Sequence, residues 1–158
     1  MTYLVLKYLH VMGAIVLLGT GAGIAFFMLM AHRTGDARFV AMTAGTVVVA
    51  DTIFTATAIV AQPLTGWLLA RELAIPLSEP WIAASLGLYV VAGAFWLPVV
   101  WMQMRMRDLA RLAAAAAAPL PPDYHRLFRW WFVFGFPGFG AVALILWLMI
   151  SRPMLWAA

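Results

Sequence analysis

The sequence contains no cysteine and few charged residues. Asp and Glu together number 6 of the 158 residues, Lys and Arg together number 10, and His numbers 3. The absence of cysteine excludes disulfides, thiolate metal sites and cysteine nucleophiles. The charged fraction is 10% and the apolar fraction is 66%. Because an average soluble domain has roughly 25% charged residues, this composition indicates an integral membrane protein.

Four apolar stretches are long enough to span a bilayer, whose hydrocarbon core of about 30 Å requires roughly 20 helical residues. These stretches cover about 3–31, 40–70, 81–104 and 126–151. The first two connections between them are short, which favours antiparallel neighbours. The sequence therefore predicts a single all-α transmembrane domain over residues 1–158, folded as a four-helix up-down bundle.

The segment after the third stretch differs from the other connections. It reads "RMRDLARLAAAAAA" before "PLPPD". Alanine, arginine and leucine are strong helix formers, so we expect a helical overhang over about 105–118, with a flexible linker as the alternative.

Arginine is concentrated in the first and third connections. The first contains Arg33 and Arg38, and the third contains or adjoins Arg105, Arg107, Arg111, Arg126 and Arg129. The second connection has only Arg71, against Glu72 and Glu79. The positive-inside rule then predicts that the first and third connections are cytoplasmic and that both termini face the opposite side. The net charge of +4 thus reflects membrane topology and not nucleic-acid binding.

Lys7 and His10 are ionisable residues inside the first apolar stretch. His10 lies roughly 10 Å from Tyr3 along a helix, within the hydrocarbon. Intramembrane ionisable groups commonly mark functional sites, and neutral imidazole is a good ligand for haem iron. The alternative is an imidazole that is hydrogen-bonded between helices. Lys7 is on the same face one turn nearer the surface, where it either snorkels to the headgroups or pairs with an anionic group such as a haem propionate.

A haem held by His10 leaves open the question of a second axial ligand. Gln62 lies at a similar depth on the second stretch, and Met149 lies nearer the surface on the fourth. The iron would then have no sixth ligand, or its sixth ligand would be a methionine or the His10 of a second copy of the chain. Gly13, one turn after His10, leaves room for a porphyrin or, equally, for a neighbouring helix.

Asp51 lies roughly 16 Å into the second stretch, near the bilayer midplane, with no basic residue at matching depth. It either relays protons or hydrogen-bonds to Thr52, to Thr55 or to a facing helix. His32 and His125 lie at the cytoplasmic boundary, where they are solvated, share a metal or form a second haem-edge site.

Other patterns indicate packing and anchoring. Gly19 and Gly23 in "GTGAG" predict a close helix contact. The methionines of "MQMRM", Met102, Met104 and Met106, predict packing and lipid contact and not a Cu(I) site. The residues Trp81, Trp130, Trp131, Trp147 and Trp156 predict an interfacial belt.

Several short motifs resemble those of known families. They are "LKYLHVMGA" and "MAH" in the first helix, and "YHRLFRWW", Pro137 and "SRP" in the fourth. The chain is similar to the HemJ-like membrane protoporphyrinogen oxidases of bacteria, more distantly to CopD-like copper-resistance domains, and most to a related family of predicted integral membrane proteins of unassigned function. This resemblance implies location in the bacterial inner membrane and a haem b site with His10 as the iron ligand.

The resemblance also implies a lysine early in the third helix of the oxidases, where this chain has Ser85. The sequence thus favours a haem-binding redox or haem-metabolism protein, with quinone or porphyrin as partner in the lipid bilayer and a homodimer or larger complex as its assembly. The alternative is a haem-free accessory subunit or a copper-related permease.

Overall fold

The computed structural model describes residues 1–155, which form α-helices and one π-helical turn. The elements are α1 (Thr2–Thr34), α2 (Ala37–Ala50), the π turn (Asp51–Thr55), α3 (Ala56–Glu72), α4 (Pro80–Ala115) and α5 (Pro122–Ser151). The segments α2, the π turn and α3 run on as one helix, Ala37–Glu72, so residues 1–155 contain four helices that are long and apolar enough to cross a membrane. The predicted all-α four-helix bundle is confirmed.

Local sequence sets the ends of these helices. Gly35 ends α1 with φ of 67°, a left-handed conformation that glycine adopts without strain. Asp36 then caps α2, since its carboxylate accepts hydrogen bonds from the backbone N–H of Arg38 at 2.8 Å and of Phe39 at 3.4 Å. With only two residues between them, α1 and α2 are antiparallel neighbours. Helix α4 runs without a break through Arg105 and Arg111 to Ala115.

The buried core occupies one half of the bundle. We call the end with the first and third connections the arginine-rich end, and the opposite end the terminal end. The core lies toward the arginine-rich end and is built from small residues facing large ones, including Ala31, Ala37, Ala41, Ala44, Ala110, Met28, Met106, Tyr124 and Phe128. Small side chains let helix backbones approach closely, so this half is tightly closed.

The terminal half is open. There α3 packs along α1 and α4 packs along α5, and among the described residues α3 makes no comparably extensive contact with α4 or α5. Pro63, Pro98 and Pro137 lie inside α3, α4 and α5. Each removes a backbone hydrogen bond and favours bending. The two helix pairs therefore diverge toward the terminal end.

The predicted helix contact at Gly19 and Gly23 is wrong for the part of the chain that the structure describes. A Cβ on Gly19 would meet no atom within 4 Å, and one on Gly23 would meet only the ring of Phe27, at 3.9 Å. The closest approaches of α1 instead involve Gly13, which faces Gln62, and the core alanine Ala31. A small-residue pattern indicates that a close contact is possible, but the outward face of a membrane helix carries the same pattern.

Candidate functional site

The diverging helix pairs enclose a cleft of about 910 Å³ in the terminal half. Tyr3, Lys7 and Arg152 line its terminal end, and Asp51 and Gln103 line its floor near the middle of the bundle. Most of the wall between them is apolar and aromatic. Ligand pockets of about 300–1,000 Å³ bury most of a small molecule, so the cleft is large enough for a substantial cofactor.

His10 lines this cleft, and its ring is held by a residue of α3. The His10 Nδ1 lies 2.9 Å from the Thr65 hydroxyl oxygen. That hydroxyl lies 2.7 Å from the Ala61 carbonyl oxygen and 3.2 Å from the Gln62 carbonyl oxygen, and with its single proton donated to one of these carbonyls it accepts from the imidazole. The proton of neutral His10 is therefore on Nδ1, and Nε2 keeps its lone pair. Within residues 1–155, Nε2 has no hydrogen-bond partner.

Gln62 and Gly13 fix the backbone around His10. The Gln62 side-chain amide donates to the His10 carbonyl at 2.7 Å, and a Cβ on Gly13 would lie 2.2 Å from the same amide nitrogen. Only glycine at this position leaves the amide in place. Gly66 lies beside the imidazole, since its Cβ would be 3.2 Å from His10 Cε1. The structure thus brings Gln62 to the backbone of His10, while Met149 lines the cleft from α5.

Two cations lie at the terminal end of the cleft. The Lys7 ammonium is 5.7 Å from the centroid of the Tyr3 ring, and the Arg152 guanidinium is 5.4 Å from that of Trp81. Asp51, at the floor, is the one acidic side chain among the described residues that line the cleft. The cleft is therefore positive at its mouth, which suits a ligand with an apolar body and an anionic edge. Arg152 was not identifiable from the sequence, because it follows the last apolar run like an ordinary flanking arginine.

The floor of the cleft is a buried polar cluster centred on Asp51, which is 5% exposed. Its carboxylate accepts from the Trp96 indole at 3.4 Å and, with the Gln103 amide in the orientation that satisfies its neighbours, from Gln103 at 3.2 Å. The Gln103 oxygen then accepts from the Trp131 indole at 3.2 Å. These bonds come from facing helices α4 and α5, whereas the Thr52 hydroxyl donates to Val48 of its own helix.

The prediction that Trp131 belongs to an interfacial belt is wrong. Trp131 is 4% exposed and its indole is directed at Gln103, whereas Trp130 and Trp147 are 56% and 63% exposed. Trp156 lies outside the described residues. In the pair "WW", helical periodicity sends one ring outward and its neighbour inward, and the sequence alone does not say which.

One hydrogen bond crosses the open side of the cleft between α3 and α4. The Tyr89 hydroxyl donates to the Ile59 carbonyl. Ile59 lies four residues before Pro63, so its carbonyl is the one that loses its helical partner to the proline. Tyr89 therefore satisfies a buried acceptor and ties the two helices together.

His32 and His125 lie at the arginine-rich end, away from the cleft. The His32 ring stacks on Phe128 with centroids 3.6 Å apart, and it lies 5.6 Å from the His125 ring. Its Nδ1 is 3.4 Å from the Tyr124 hydroxyl. Within residues 1–155, no three His, Asp or Glu side chains are grouped to hold a metal ion. Of the "MQMRM" methionines, Met102 and Met106 are buried in the core and Met104 is 38% exposed, as expected for packing and lipid contact.

Comparison with known proteins places the chain in a family. A family model described as "Predicted integral membrane protein (DUF2269)" matches residues 4–153. No curated protein and no solved structure matches the chain. The family description states membrane integration and names no reaction.

We predict that Gly13→Ala and Gln62→Leu each destabilise the protein by about 1 kcal/mol, because each removes the buried bond to the His10 carbonyl. The double variant should lose little more than either single variant, since both act on one interaction. The free energy of unfolding in detergent, measured by circular dichroism, checks this. Gly19→Ala is the control and should not destabilise the protein, because a Cβ there meets no atom within 4 Å and alanine is the better helix former. Fully additive losses in the double variant would contradict the interpretation.

Proposed function

The chain belongs to this family of predicted integral membrane proteins, and we propose that it binds haem b in the cleft, with His10 as an axial ligand of the iron. The observation that carries the proposal is the pairing of His10 with Thr65. A histidine that ligates a metal through one nitrogen commonly donates its other N–H to a fixed acceptor, which orients the ring and raises its basicity. Thr65 provides that acceptor, and Nε2 is left with its lone pair.

The remaining residues of the cleft fit the group. Its volume and aromatic wall suit a large flat macrocycle, and the absence of a side chain at Gly66 gives the imidazole room against α3. Lys7 and Arg152 would hold the two propionates at the mouth. Met149 also lines the cleft and would be a candidate for a second iron ligand, whereas the Gln62 amide is engaged by the His10 carbonyl.

Bound haem would supply one-electron redox chemistry within the membrane. The resemblance to HemJ-like oxidases supports a role in electron transfer or haem metabolism, with a quinone or a porphyrin as the partner. Asp51 would take up and release a proton at the floor of the cleft, where Trp96 and Gln103 donate to its carboxylate.

The visible spectrum of detergent-purified protein, oxidised and dithionite-reduced, tests the proposal. Protein from cells with adequate haem should show a b-type spectrum with near-stoichiometric haem by the pyridine haemochrome assay, and His10→Ala should lose it. His125→Ala, at the opposite end, is the control and should keep it. A colourless wild-type protein would overturn the proposal in favour of a haem-free accessory subunit or permease.

A second pair of variants in the same assay separates ligation from adventitious binding. Thr65→Val should weaken haem affinity by about 10- to 100-fold, because it removes the acceptor that orients the imidazole. Thr57→Val on the same helix should have no effect, since the Thr57 hydroxyl bonds only to carbonyls of its own helix. Equal affinities for the two variants would argue against ligation by His10.

For Asp51→Asn we expect haem binding to persist and the pH dependence of the reduction potential to disappear. In the wild type the potential should fall as pH rises, by at most about 59 mV per pH unit for one proton per electron. Spectroelectrochemical titration across pH 6–9 measures the slope. Asp108→Asn, an exposed carboxylate at the arginine-rich end, is the control. An unchanged slope in Asp51→Asn would remove Asp51 from proton transfer.

We also propose that the protein lies in the bacterial inner membrane with its arginine-rich end in the cytoplasm. The absence of cysteine lets single introduced cysteines report this orientation. A membrane-impermeant maleimide should label Ser78→Cys in intact spheroplasts and label Ala116→Cys only after permeabilisation. The reverse pattern would invert the topology.

A further inference from the structure

A second concave surface lies at the arginine-rich end, on the outside of the bundle between α2 and α4. It is a groove of about 590 Å³, lined by Arg38, Met42, Gly45, Val49, Arg111 and Ala114 among others. It shares no residue with the cleft. Its wall is apolar and small toward the middle of the bundle and basic toward the arginine-rich end.

Neither arginine of the groove forms a direct ion pair among the described residues, although the Asp108 carboxylate is close enough to Arg111 to feel its charge. Among residues 1–155 the ion pairs are Arg107 with Asp108 and Arg126 with Asp123. The Asp36 carboxylate, near Arg38 in sequence, is engaged by backbone N–H groups at the start of α2. Arg38 and Arg111 therefore present positive charge on a surface that is otherwise apolar except for Thr46, whose hydroxyl bonds to the Met42 carbonyl of its own helix.

Arg111 lies against α2, within the groove. A Cβ on Gly45 would be 3.4 Å from the Arg111 Nη2, so the guanidinium occupies the space that this glycine leaves open. Side chains on a helix lean toward its N-terminus, which for α4 is the direction of the membrane. The charge is thus displaced toward the hydrocarbon and not outward into water.

The dimensions match one lipid at one leaflet. Arg38 and Val49 are separated by roughly 16 Å along α2, which is about half the roughly 30 Å thickness of a hydrocarbon core. Arg111 lies roughly 9 Å beyond Arg105, the first arginine after the apolar part of α4. A headgroup at Arg38 and Arg111 would lie beside Met42, and its acyl chain would pass Gly45 and Val49 toward the middle of the bundle.

We propose that this groove binds an anionic phospholipid of the cytoplasmic leaflet, whose phosphate contacts Arg38 and Arg111 and whose acyl chain lies along α2. The combination of two cations, an apolar track and an intervening glycine is complementary to a charged head joined to a hydrocarbon chain. Basic pockets between transmembrane helices are known to recognise such headgroups. This site is independent of haem binding in the cleft.

Native mass spectrometry of the full chain in detergent tests the site by titration with dioleoyl phosphatidylglycerol and with dioleoyl phosphatidylcholine. The wild type should bind the anionic lipid at least about tenfold more tightly. The double variant Arg38→Gln, Arg111→Gln should lose this preference. The matched control Arg33→Gln, Arg129→Gln removes the same charge at the same end but outside the groove. It should keep the preference for the anionic lipid.

Gly45→Leu fills the groove without changing its charge, and should also reduce binding of the anionic lipid. It keeps the test decisive if the double arginine variant does not fold. Equal binding of both lipids, equal losses in the groove and control arginine variants, or full displacement of the lipid by millimolar inorganic phosphate would each overturn the proposal.

Discussion

Close contact between helix backbones is the interaction on which the rest of this structure depends. In a bilayer, apolar surface gains nothing from leaving lipid, so helices associate through packing and through hydrogen bonds. The alanines of α1, α2 and α4 supply that packing at the arginine-rich end. In the terminal half, bulky aromatic side chains and helix prolines take their place, and the helix pairs separate. The cleft therefore begins where the tightly packed core ends, at the level of Asp51 and Gln103.

Three hydrogen bonds pair polar groups of facing helices in the open half. Gln62 bonds the His10 carbonyl, Thr65 bonds the His10 ring, and Tyr89 bonds the carbonyl that Pro63 frees. Without water, an unpaired buried polar group is costly, so each pair restricts how far the helices can move. The same bonds that stabilise the open half also hold the imidazole in one tautomer.

Sequence reasoning predicted the helices well and the site in part. Long apolar runs with few charges can only form transmembrane helices. His10 and Asp51 were noticeable because burying an ionisable side chain in the hydrocarbon costs free energy. The partners Thr65, Tyr89, Trp96 and Gln103 could not be foreseen. Each is of a residue type that also occurs on lipid-facing surfaces or near the ends of membrane helices. Whether its side chain faces the cleft depends on how its helix is rotated about its axis. Pro63 was visible, but not which side chain would meet the carbonyl that it frees.

The π turn at Asp51–Thr55 has a consequence for the rotational phase of its helix. Each residue of a regular α-helix advances by about 100°, so one extra residue in a turn rotates everything after it by that amount. Because of this rotation, the face of α2 that contacts α4 is not continuous with the face of α3 that contacts α1. A chain shortened by one residue here would remain helical, yet Gln62 and Thr65 would turn away from His10. This one π turn therefore determines which face of α2 points into the closed core and which face of α3 points toward the cleft.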